Sequence, residues 1–514
     1  MKPNMPSITL DGNSLTIEQI EEFLRGGVKV SLAPAARTKV AQGNKCIRAI
    51  LKREQPIYGV NTGFGKLSSI TIRPERIERL QVNLIRSHCS GVGPPMGIDE
   101  VRLAMLLRAN ALAKGYSGVR PLVIETLLKM LNAGITPVVP QQGSCGASGD
   151  LAPLAHMVLG MMGEGQVFYG GQLIPAEKAL KKTRISPIVL QAKEGLALIN
   201  GTQAMTAIGI INLIRARDLI KNADIAAAMS LEALRGTPAA FDEGIHALRP
   251  YPGQITTAAN FRRLLQGSEI VESHRDCPKI QDAYSLRCVP QVHGPIRDTF
   301  HHVASVLLTE VNSVSDNPIV FPERNLVLSG GNFHGESIAL AMDFLAIAMS
   351  ELANISERRI EHMVDPDVSG MPAFLTEGSG LNSGLMMAQV TAASLVSENK
   401  SLAHPASVDS IPTSANREDH VSMGTIAARK CRQIIDNVER VLAIEFLAAA
   451  QGLEFARPLR ASEALEEAHA VIRKKIPKIT EDRVFSNDIF ELTKMIRSRV
   501  IIKAVESVAG PLAL

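Results

Sequence analysis

The chain has no tryptophan, five tyrosines and six cysteines in 514 residues. No two cysteines form a CxxC pair, and in so long a chain this spacing argues against a disulfide framework or a zinc site and favours reduced thiols. The cysteines are Cys46, Cys89, Cys145, Cys277, Cys288 and Cys431. We therefore expect a cytoplasmic protein that holds no metal.

Long apolar runs and blocks of a single charge are also missing. No uninterrupted apolar run reaches the ~18 residues of a membrane span, and the N-terminus lacks the apolar core of a signal peptide. The 55 basic residues nearly balance the 51 acidic ones, which leaves a net charge of +4. Without a basic block, the sequence gives no indication of nucleic-acid binding. We expect a soluble protein without membrane or nucleic-acid partners.

Helical periodicity dominates the chain and changes its texture near residue 200. Short elements alternate with turns over residues 1–198, which we predict to be an N-terminal region, and long helical segments with few breakers fill residues 199–514. In the last long segment, apolar residues recur at the three-to-four spacing of one helix face. The sequence predicts a mainly α protein. Predicted helices cover residues 75–88, 99–115, 120–133, 293–314, 335–363, 385–403 and 420–450.

The most informative segment is GSCGASGDLAPLAH, residues 143–156. If the amide nitrogen of Gly149 attacks the carbonyl of Ala147, a five-membered ring closes, and loss of water from the ring and from Ser148 leaves an electrophilic methylene carbon. Glycine offers an unhindered nitrogen and tolerates unusual backbone angles. The competing interpretation is a glycine-rich turn that leads into a helix capped by Asp150.

Two further segments carry residues suited to amino-acid chemistry. In QDAYSLRC, residues 281–288, Gln281, Tyr284 and Arg287 are spaced by three and can share a helix face. The planar fork of an arginine suits a carboxylate, although a surface arginine beside a packed tyrosine is the ordinary alternative. Tyr58 lies in the glycine-rich loop IYGVNTGFGKL, which fails the phosphate-binding pattern because Lys66 is followed by leucine.

These segments together resemble the aromatic amino-acid ammonia-lyases. The segment GSCGASGDLAPLAH closely matches the signature of that family. The resemblance also covers segments 56–67, 87–93, 198–204, 281–295, 315–318, 331–337 and 365–424. It implies that Ala147, Ser148 and Gly149 form a methylidene-imidazolone (MIO) group autocatalytically, so that no external cofactor is needed.

The resemblance also implies roles for residues that, taken alone, would be a helix cap or part of the core. It makes Tyr58 the base that removes the β-proton, which requires a lowered tyrosine pKa. It makes Arg287 the carboxylate clamp, within the carboxylate-binding segment that also holds Gln281. It places Asn200 beside the ring and the substrate amine, with Tyr284 near the ring and Phe333 against the substrate side chain.

Substrate choice depends on Ser87-His88 and Glu418, where the chain resembles the family members that act on histidine. An imidazole has one N–H donor and one nitrogen acceptor, which a histidine and a carboxylate can satisfy together. The expected reaction converts L-histidine to trans-urocanate and ammonia. The alternative is a phenylalanine or tyrosine ammonia-lyase or aminomutase. One departure is Arg417, where many bacterial relatives have glutamine; if it points inward, it would pair with Glu418.

The resemblance further implies an aspartase/fumarase-like fold, a long central helical bundle with a smaller mixed N-terminal region. It implies a homotetramer in which each active site draws residues from three subunits. Other classes fit less well. A serine hydrolase would need G-x-S-x-G, which the residues around Ser148 do not provide. An inactive helical oligomer would be expected to have lost Ser148, Arg287 or Tyr58. A lyase that works without MIO stays open and would survive replacement of Ser148.

Overall fold

Long α-helices make up most of the structure, a computed structural model that describes residues 6–52, 56–277 and 279–514. The helices of the first half are α1 to α8, with bounds Ile17–Arg25, Pro34–Leu51, Ile77–His88, Ile98–Ala113, Pro121–Asn132, Leu151–Met161, Ala176–Thr183 and Glu194–Ile199. The predicted helices at 75–88, 99–115 and 120–133 are confirmed to within two residues at each end.

The remaining helices are longer on average. They are α9 to α21, with bounds Gln203–Ala233, Glu243–Ala247, Pro252–Leu264, Glu269–Ser273, Tyr284–Arg287, Val289–Val311, Glu336–Val364, Pro366–Ser369, Met386–Leu402, Gly424–Phe455, Glu463–Arg473, Phe485–Arg497 and Val500–Ala509. Short 3-10 turns cover Gly65–Leu67, Pro74–Arg76, Pro238–Phe241, Pro322–Arg324 and Ala373–Leu375. The mainly α prediction is confirmed.

The strands are short and form four small sheets. Their bounds, β1 to β9, are Ser7–Leu10, Lys29–Leu32, Val92–Pro95, Thr136–Pro137, Pro140–Gln142, Gln166–Tyr169, Gln172–Pro175, Ile319–Phe321 and Leu326–Leu328. β1 pairs with β2 in parallel, from Ser7 opposite Lys29 to Leu10 opposite Leu32. The other pairs are antiparallel: β3 with β5, β6 with both β4 and β7, and β8 with β9.

By their contacts the residues form two compact units, each discontinuous in sequence. The first comprises Met1–Ile211, Ala304–Met342 and Pro405–Arg429, and the second comprises Asn212–Val303, Asp343–His404 and Lys430–Leu514. All nine strands belong to the first unit, and the described part of the second contains none. This grouping by contacts is a different division from the predicted one at 198/199, which stays a prediction about sequence texture.

Local sequence explains where the helices begin and which face they bury. Thr16 and Gln19 form a reciprocal capping box at the start of α1, and prolines begin α2 and α5 at positions that need no amide donor. The predicted apolar face of α18 is fully buried at Ile434 and Val438, as it is at Ile435, Val441 and Leu442. Burial of this face, more than intrinsic propensity, holds such a helix in place.

Helix α15 is the one described helix long and apolar enough to cross a membrane, by length and composition alone. In its most apolar 18-residue window, 72% of the residues are buried within the protein. Burial of this kind is typical of a core helix, which needs an apolar surface on several sides.

Candidate active site

The loop that carries Ser148 is a tight turn between β5 and α6, held by glycines in left-handed conformations. Gly146 has a φ of +69° and Gly149 a φ of +70°. Gly149 forms a parallel bridge with Gly201, and a Cβ at position 149 would lie 2.2 Å from the Gly201 carbonyl oxygen. Only glycine fits this close approach without a shift of the backbone.

The buried carboxylate of Asp150 stabilises the loop through several hydrogen bonds. Asp150 occupies the N-cap position of α6, as the competing interpretation expected, but its side chain makes no capping hydrogen bond. Its carboxylate accepts hydrogen bonds from the Ser144 hydroxyl (3.2 Å), the Thr425 hydroxyl (2.5 Å) and the backbone N–H of Met205 (2.8 Å). Burial raises the pKa of Asp150 to about 6, against the opposing effect of these donors.

Ser148 itself is contacted by residues from two distant segments. Its hydroxyl donates to Glu418 Oε1 at 2.7 Å, and its carbonyl oxygen accepts from Asn200 Nδ2 at 2.9 Å. Asn200 is buried and directly follows α8, while Ala147 is buried against Val421 and Met423. The fold therefore fixes both the oxygen that dehydration would remove and the carbonyl that would remain in the ring.

Glu418 is held by a hairpin-like turn. Thr413 and Glu418 exchange backbone hydrogen bonds, and the Thr413 hydroxyl donates to Glu418 Oε2 at 2.6 Å. The residues between them include three consecutive left-handed positions, from Ser414 to Asn416, with φ values of +51°, +52° and +63°. This segment is therefore not helical, because right-handed helical backbone cannot contain such a run.

Arg417 lines the same cavity as Glu418, so its side chain is not directed away from the site. Even so, both oxygens of Glu418 are bonded to hydroxyls, and the described residues include no ion pair between Arg417 and Glu418. Arg417 therefore lies at the cavity, as one of the two expected orientations required, but it does not form the expected ion pair with Glu418.

His88 is the last residue of α3, and its Nδ1 lies 3.1 Å from the Ser87 hydroxyl. Burial lowers the pKa of His88, an effect that the backbone of Leu84 and the charge of Glu418 only partly oppose. A neutral imidazole is thereby favoured, which can present either a donor or an acceptor to a bound ligand.

Tyr58 lies in the loop before α3, with its ring edge-on to Phe64 at a centroid distance of 6.5 Å. Burial raises the pKa of Tyr58, the charge of Glu418 raises it further, and only the backbone of Gly65 acts in the opposite direction. The lowered pKa that we expected is therefore wrong for this chain alone. A phenol in this environment stays protonated at neutral pH unless a positive charge approaches it.

These side chains share one cavity of about 780 Å³ in the first unit. Seven of the residues that line it are Tyr58, His88, Ser148, Asn200, Phe333, Arg417 and Glu418. A smaller cavity of about 320 Å³ also reaches Ser148 and includes Cys145 in its wall. The volume suits a small amino acid, and the polar groups converge on Ser148, as is typical of an active site.

The remaining predicted residues belong to the second unit, and none of them lines this cavity. Tyr284 and Arg287 lie on the single turn α13, where the guanidinium stands over the tyrosine ring at 4.5 Å. Arg287 also donates to Gln281 Oε1 and to the Asp282 carbonyl oxygen, each at 3.1 Å. Tyr284 is 71% exposed, so this cluster presents itself at the surface.

Sequence reasoning missed the residues that support the site. Ser144 and Thr425 hold the carboxylate of Asp150, and Thr413 fixes Glu418. A threonine five residues before a glutamate carries no local signal. The arrangement arises only when the chain folds 275 residues back, from Thr425 to Asp150.

Comparisons with known proteins give a consistent result. The aromatic amino acid lyase family matches residues 15–474. A protein named histidine ammonia-lyase from Symbiobacterium thermophilum is 52% identical over 98% of this chain and 99% of its own length. A second protein of that name, from Koribacter versatilis, is 53% identical over 96% of this chain and 98% of its own length.

Solved structures agree on the fold. Histidine ammonia-lyase from Trypanosoma cruzi superposes with a TM-score of 0.91 at 45% identity, covering 98% of this chain and 95% of its own. Tyrosine aminomutase from Streptomyces globisporus superposes with a TM-score of 0.93 at 37% identity, covering 98% and 99% of the two chains. Because the fold is shared by proteins with different names, the residues that line the cavity must distinguish the substrates.

Proposed function

The chain belongs to the aromatic amino acid lyase family, and we propose that it deaminates L-histidine to trans-urocanate and ammonia without oxidation. It is a carbon–nitrogen lyase of the histidine ammonia-lyase type. One observation carries the choice of substrate: His88 and Glu418 line the same cavity as Ser148. Relatives about half identical over nearly the whole chain, named for this activity, support the same reading.

We infer that Ala147, Ser148 and Gly149 form the MIO group, and the loop fits it. Gly149 packs so closely on Gly201 that no Cβ is tolerated, which keeps its nitrogen unhindered, and Asn200 holds the Ser148 carbonyl. When formed, the ring supplies an electrophilic carbon that draws electrons from the substrate amine. No external cofactor is required.

The imidazole of the substrate is recognised by complementary groups. Glu418 accepts a hydrogen bond from the ring N–H, and neutral His88 serves the other ring nitrogen. A carboxylate bonded to an N–H donor is among the stronger polar contacts. A benzyl side chain would leave Glu418 without its partner, which disfavours phenylalanine.

Tyr58 Oη holds the position of the base that removes the β-proton. Its raised pKa in this chain implies that ionisation depends on a positive charge brought by the substrate or by another subunit. Arg287, Tyr284 and Gln281 lie in the second unit, so we propose that a neighbouring copy of the chain supplies them to this cavity. Arg287 then clamps the substrate carboxylate through its planar fork.

A homotetramer is the assembly we propose on this basis. Exposed apolar side chains on the surface of the second unit, such as Phe344 and Ile347 on α15, support association between copies. We also propose that the protein works in the cytoplasm, since none of its six cysteines, all of which lie among the described residues, forms a disulfide.

The test is growth of the near-ultraviolet band of urocanate when L-histidine is added to the purified protein, with L-tyrosine and L-phenylalanine in parallel. We expect a urocanate band with histidine and no cinnamate or coumarate band with the other two. Ser148→Ala should fold and assemble like the wild type but lose turnover. A cinnamate or coumarate band without a urocanate band would reassign the enzyme to phenylalanine or tyrosine.

A further inference from the structure

A separate cavity of about 570 Å³ lies against the base of the loop that carries Tyr58, in the first unit. Helix α2, the start of α3 and the two ends of this loop enclose it, and the proposed reaction makes no use of it. We propose that this cavity is a regulatory site for a small carboxylate with an apolar body. The regulatory part of this proposal rests on the proposed function, whereas binding itself does not.

The cavity carries an excess of positive charge. Arg48 from α2 and Arg73 from the loop both line it, and among the described residues of its wall Glu78 is the one that is acidic. The hydrogen bond that Arg48 donates within the described residues is a long one, of 3.5 Å to Gln191. Arg73 has no ion pair within residues 6–52, 56–277 and 279–514. Two guanidinium groups facing one space suit a carboxylate, which accepts paired N–H donors from such a fork.

The rest of the wall is apolar, which indicates more than an inorganic anion. Ile47 and Ile77 are buried beneath the cavity, and Leu51, Ile72 and Ala192 complete its floor and sides. Ligand sites of this kind place a few polar groups around a mostly apolar space. A planar organic carboxylate fits this division, with its charged end at the arginines and its body against the isoleucines.

The site is connected to the active-site cavity through one side chain. Ile72 lines both cavities, so it is the shared wall between them. The part of the loop that follows Tyr58, residues 61–72, is closed at this point, because the Ile72 N–H donates to the Asn61 carbonyl at 2.8 Å and Thr62 bridges to Thr71. A ligand held by Arg73 on one end and Arg48 on α2 would restrain the loop that positions Tyr58.

The experiment compares wild type with the double variant Arg48→Gln/Arg73→Gln. Arg79→Gln is the matched control, because Arg79 is an exposed arginine on α3 that lines neither cavity. Both cavity arginines are exposed, so folding is not at risk, and each single variant is measured as well. The readouts are equilibrium binding of benzoate and hydrogen exchange of residues 57–72 with and without benzoate.

We expect benzoate to slow exchange in residues 57–72 of wild type and of Arg79→Gln. In the double variant this protection should vanish, and the affinity of the arginine-dependent site should fall about tenfold or more. Binding and protection that are the same in all proteins would overturn the proposal. This arm needs no turnover, so it is unaffected if the chain does not deaminate histidine.

A second arm identifies the source of the carboxylate by replacing benzoate with trans-urocanate. If the product is the natural ligand, it should inhibit in two ways, competitively at the active site and non-competitively through the loop. The double variant should then retain only the competitive part. Purely competitive inhibition in wild type, together with benzoate protection, would assign the site to a carboxylate other than the product.

Discussion

Replacing Glu418 by glutamine tests how the cavity selects its substrate. Glutamine keeps the size of the side chain and can still accept from the Thr413 hydroxyl, now 2.6 Å from Oε2. It removes the negative charge that we assign to the imidazole N–H. The variant should therefore fold normally and lose preference for histidine rather than lose all activity.

The size of the effect follows from the contact that is lost. A hydrogen bond to a charged group contributes about 1.5–3 kcal/mol, which corresponds to a decrease of roughly 10- to 150-fold in kcat/KM for histidine. Phenylalanine offers no donor to Glu418, so its low kcat/KM should hold steady or rise, since a half-buried charge no longer goes unpaired. The histidine-to-phenylalanine ratio should fall by at least the same factor.

The pH profile supplies a second readout of the same substitution. The charge of Glu418 raises the pKa of Tyr58, so its removal should lower that pKa. A base must be ionised to act, so the rise of kcat/KM with pH should begin at a lower pH in the variant.

Steady-state kinetics with both amino acids across pH provide the assay, with Thr413→Val as the control. Thr413→Val removes a hydrogen bond to Glu418 but leaves its charge, so it should change kcat/KM far less and should not move the pH profile. A Glu418→Gln enzyme with unchanged kcat/KM for histidine and an unchanged substrate ratio would refute the reasoning.

Four further substitutions test other parts of the account. Gly149→Ala places a Cβ 2.2 Å from the Gly201 carbonyl oxygen at a φ of +70°. It should lower the free energy of unfolding by more than the ~1–2 kcal/mol that a left-handed conformation costs a residue with a Cβ, and it should prevent ring formation. An unchanged denaturation curve together with a normal ring absorbance would argue against this. Burial raises the pKa of Asp150 from 3.8 to about 6, so ionisation of Asp150 lowers the stability of the wild type by an amount that grows to about 3 kcal/mol between pH 4 and 6. The free energy of unfolding of Asp150→Asn, relative to that of wild type, should therefore rise across this pH range. A difference that does not change with pH would contradict this. Arg287→Lys should lower kcat/KM about tenfold or more because an ammonium cannot replace the planar fork, and unchanged kinetics would remove it from the clamp role. His88→Leu should reduce turnover of histidine and admit tyrosine, an idea that fails if neither rate changes.

Regular features of the fold could be predicted from the sequence because they depend on local pattern. The helices α3, α4 and α5 begin and end near their predicted bounds. The apolar face of α18 is buried as predicted, at Ile434 among others. The glycine-rich turn before α6 could also be predicted, since glycine tolerates the left-handed backbone angles found at Gly146 and Gly149.

Features that depend on tertiary contacts could not be predicted. Asp150 has the sequence context of a helix cap, yet the fold brings Thr425 to its carboxylate and buries it. The segment around Arg417 contains no glycine that would have indicated its left-handed turn. The pKa of Tyr58 depends on its burial and on Glu418, 360 positions away in the chain, so its direction could be obtained only from the structure.

The contacts between Ser148, Asn200 and Glu418 form a third case. The contacting residues are separated by 52 and 270 positions, and such separations leave no periodic pattern in the sequence. The contacts could therefore not be predicted from the residues alone. The resemblance to a family did so, and the cavity geometry agrees with that grouping. The positions of Gln281, Tyr284 and Arg287 in the assembled enzyme stay a prediction.

The central claim is that Ala147, Ser148 and Gly149 become the electrophile used on histidine. Its most direct test is the mass of the peptide that contains these residues, obtained by digestion of enzyme that produces urocanate, with Ser148→Ala as the reference. Ring closure and dehydration each remove one water, so we predict a peptide lighter by the mass of two waters and no such deficit in the variant. An unmodified peptide mass in fully active enzyme would contradict the account.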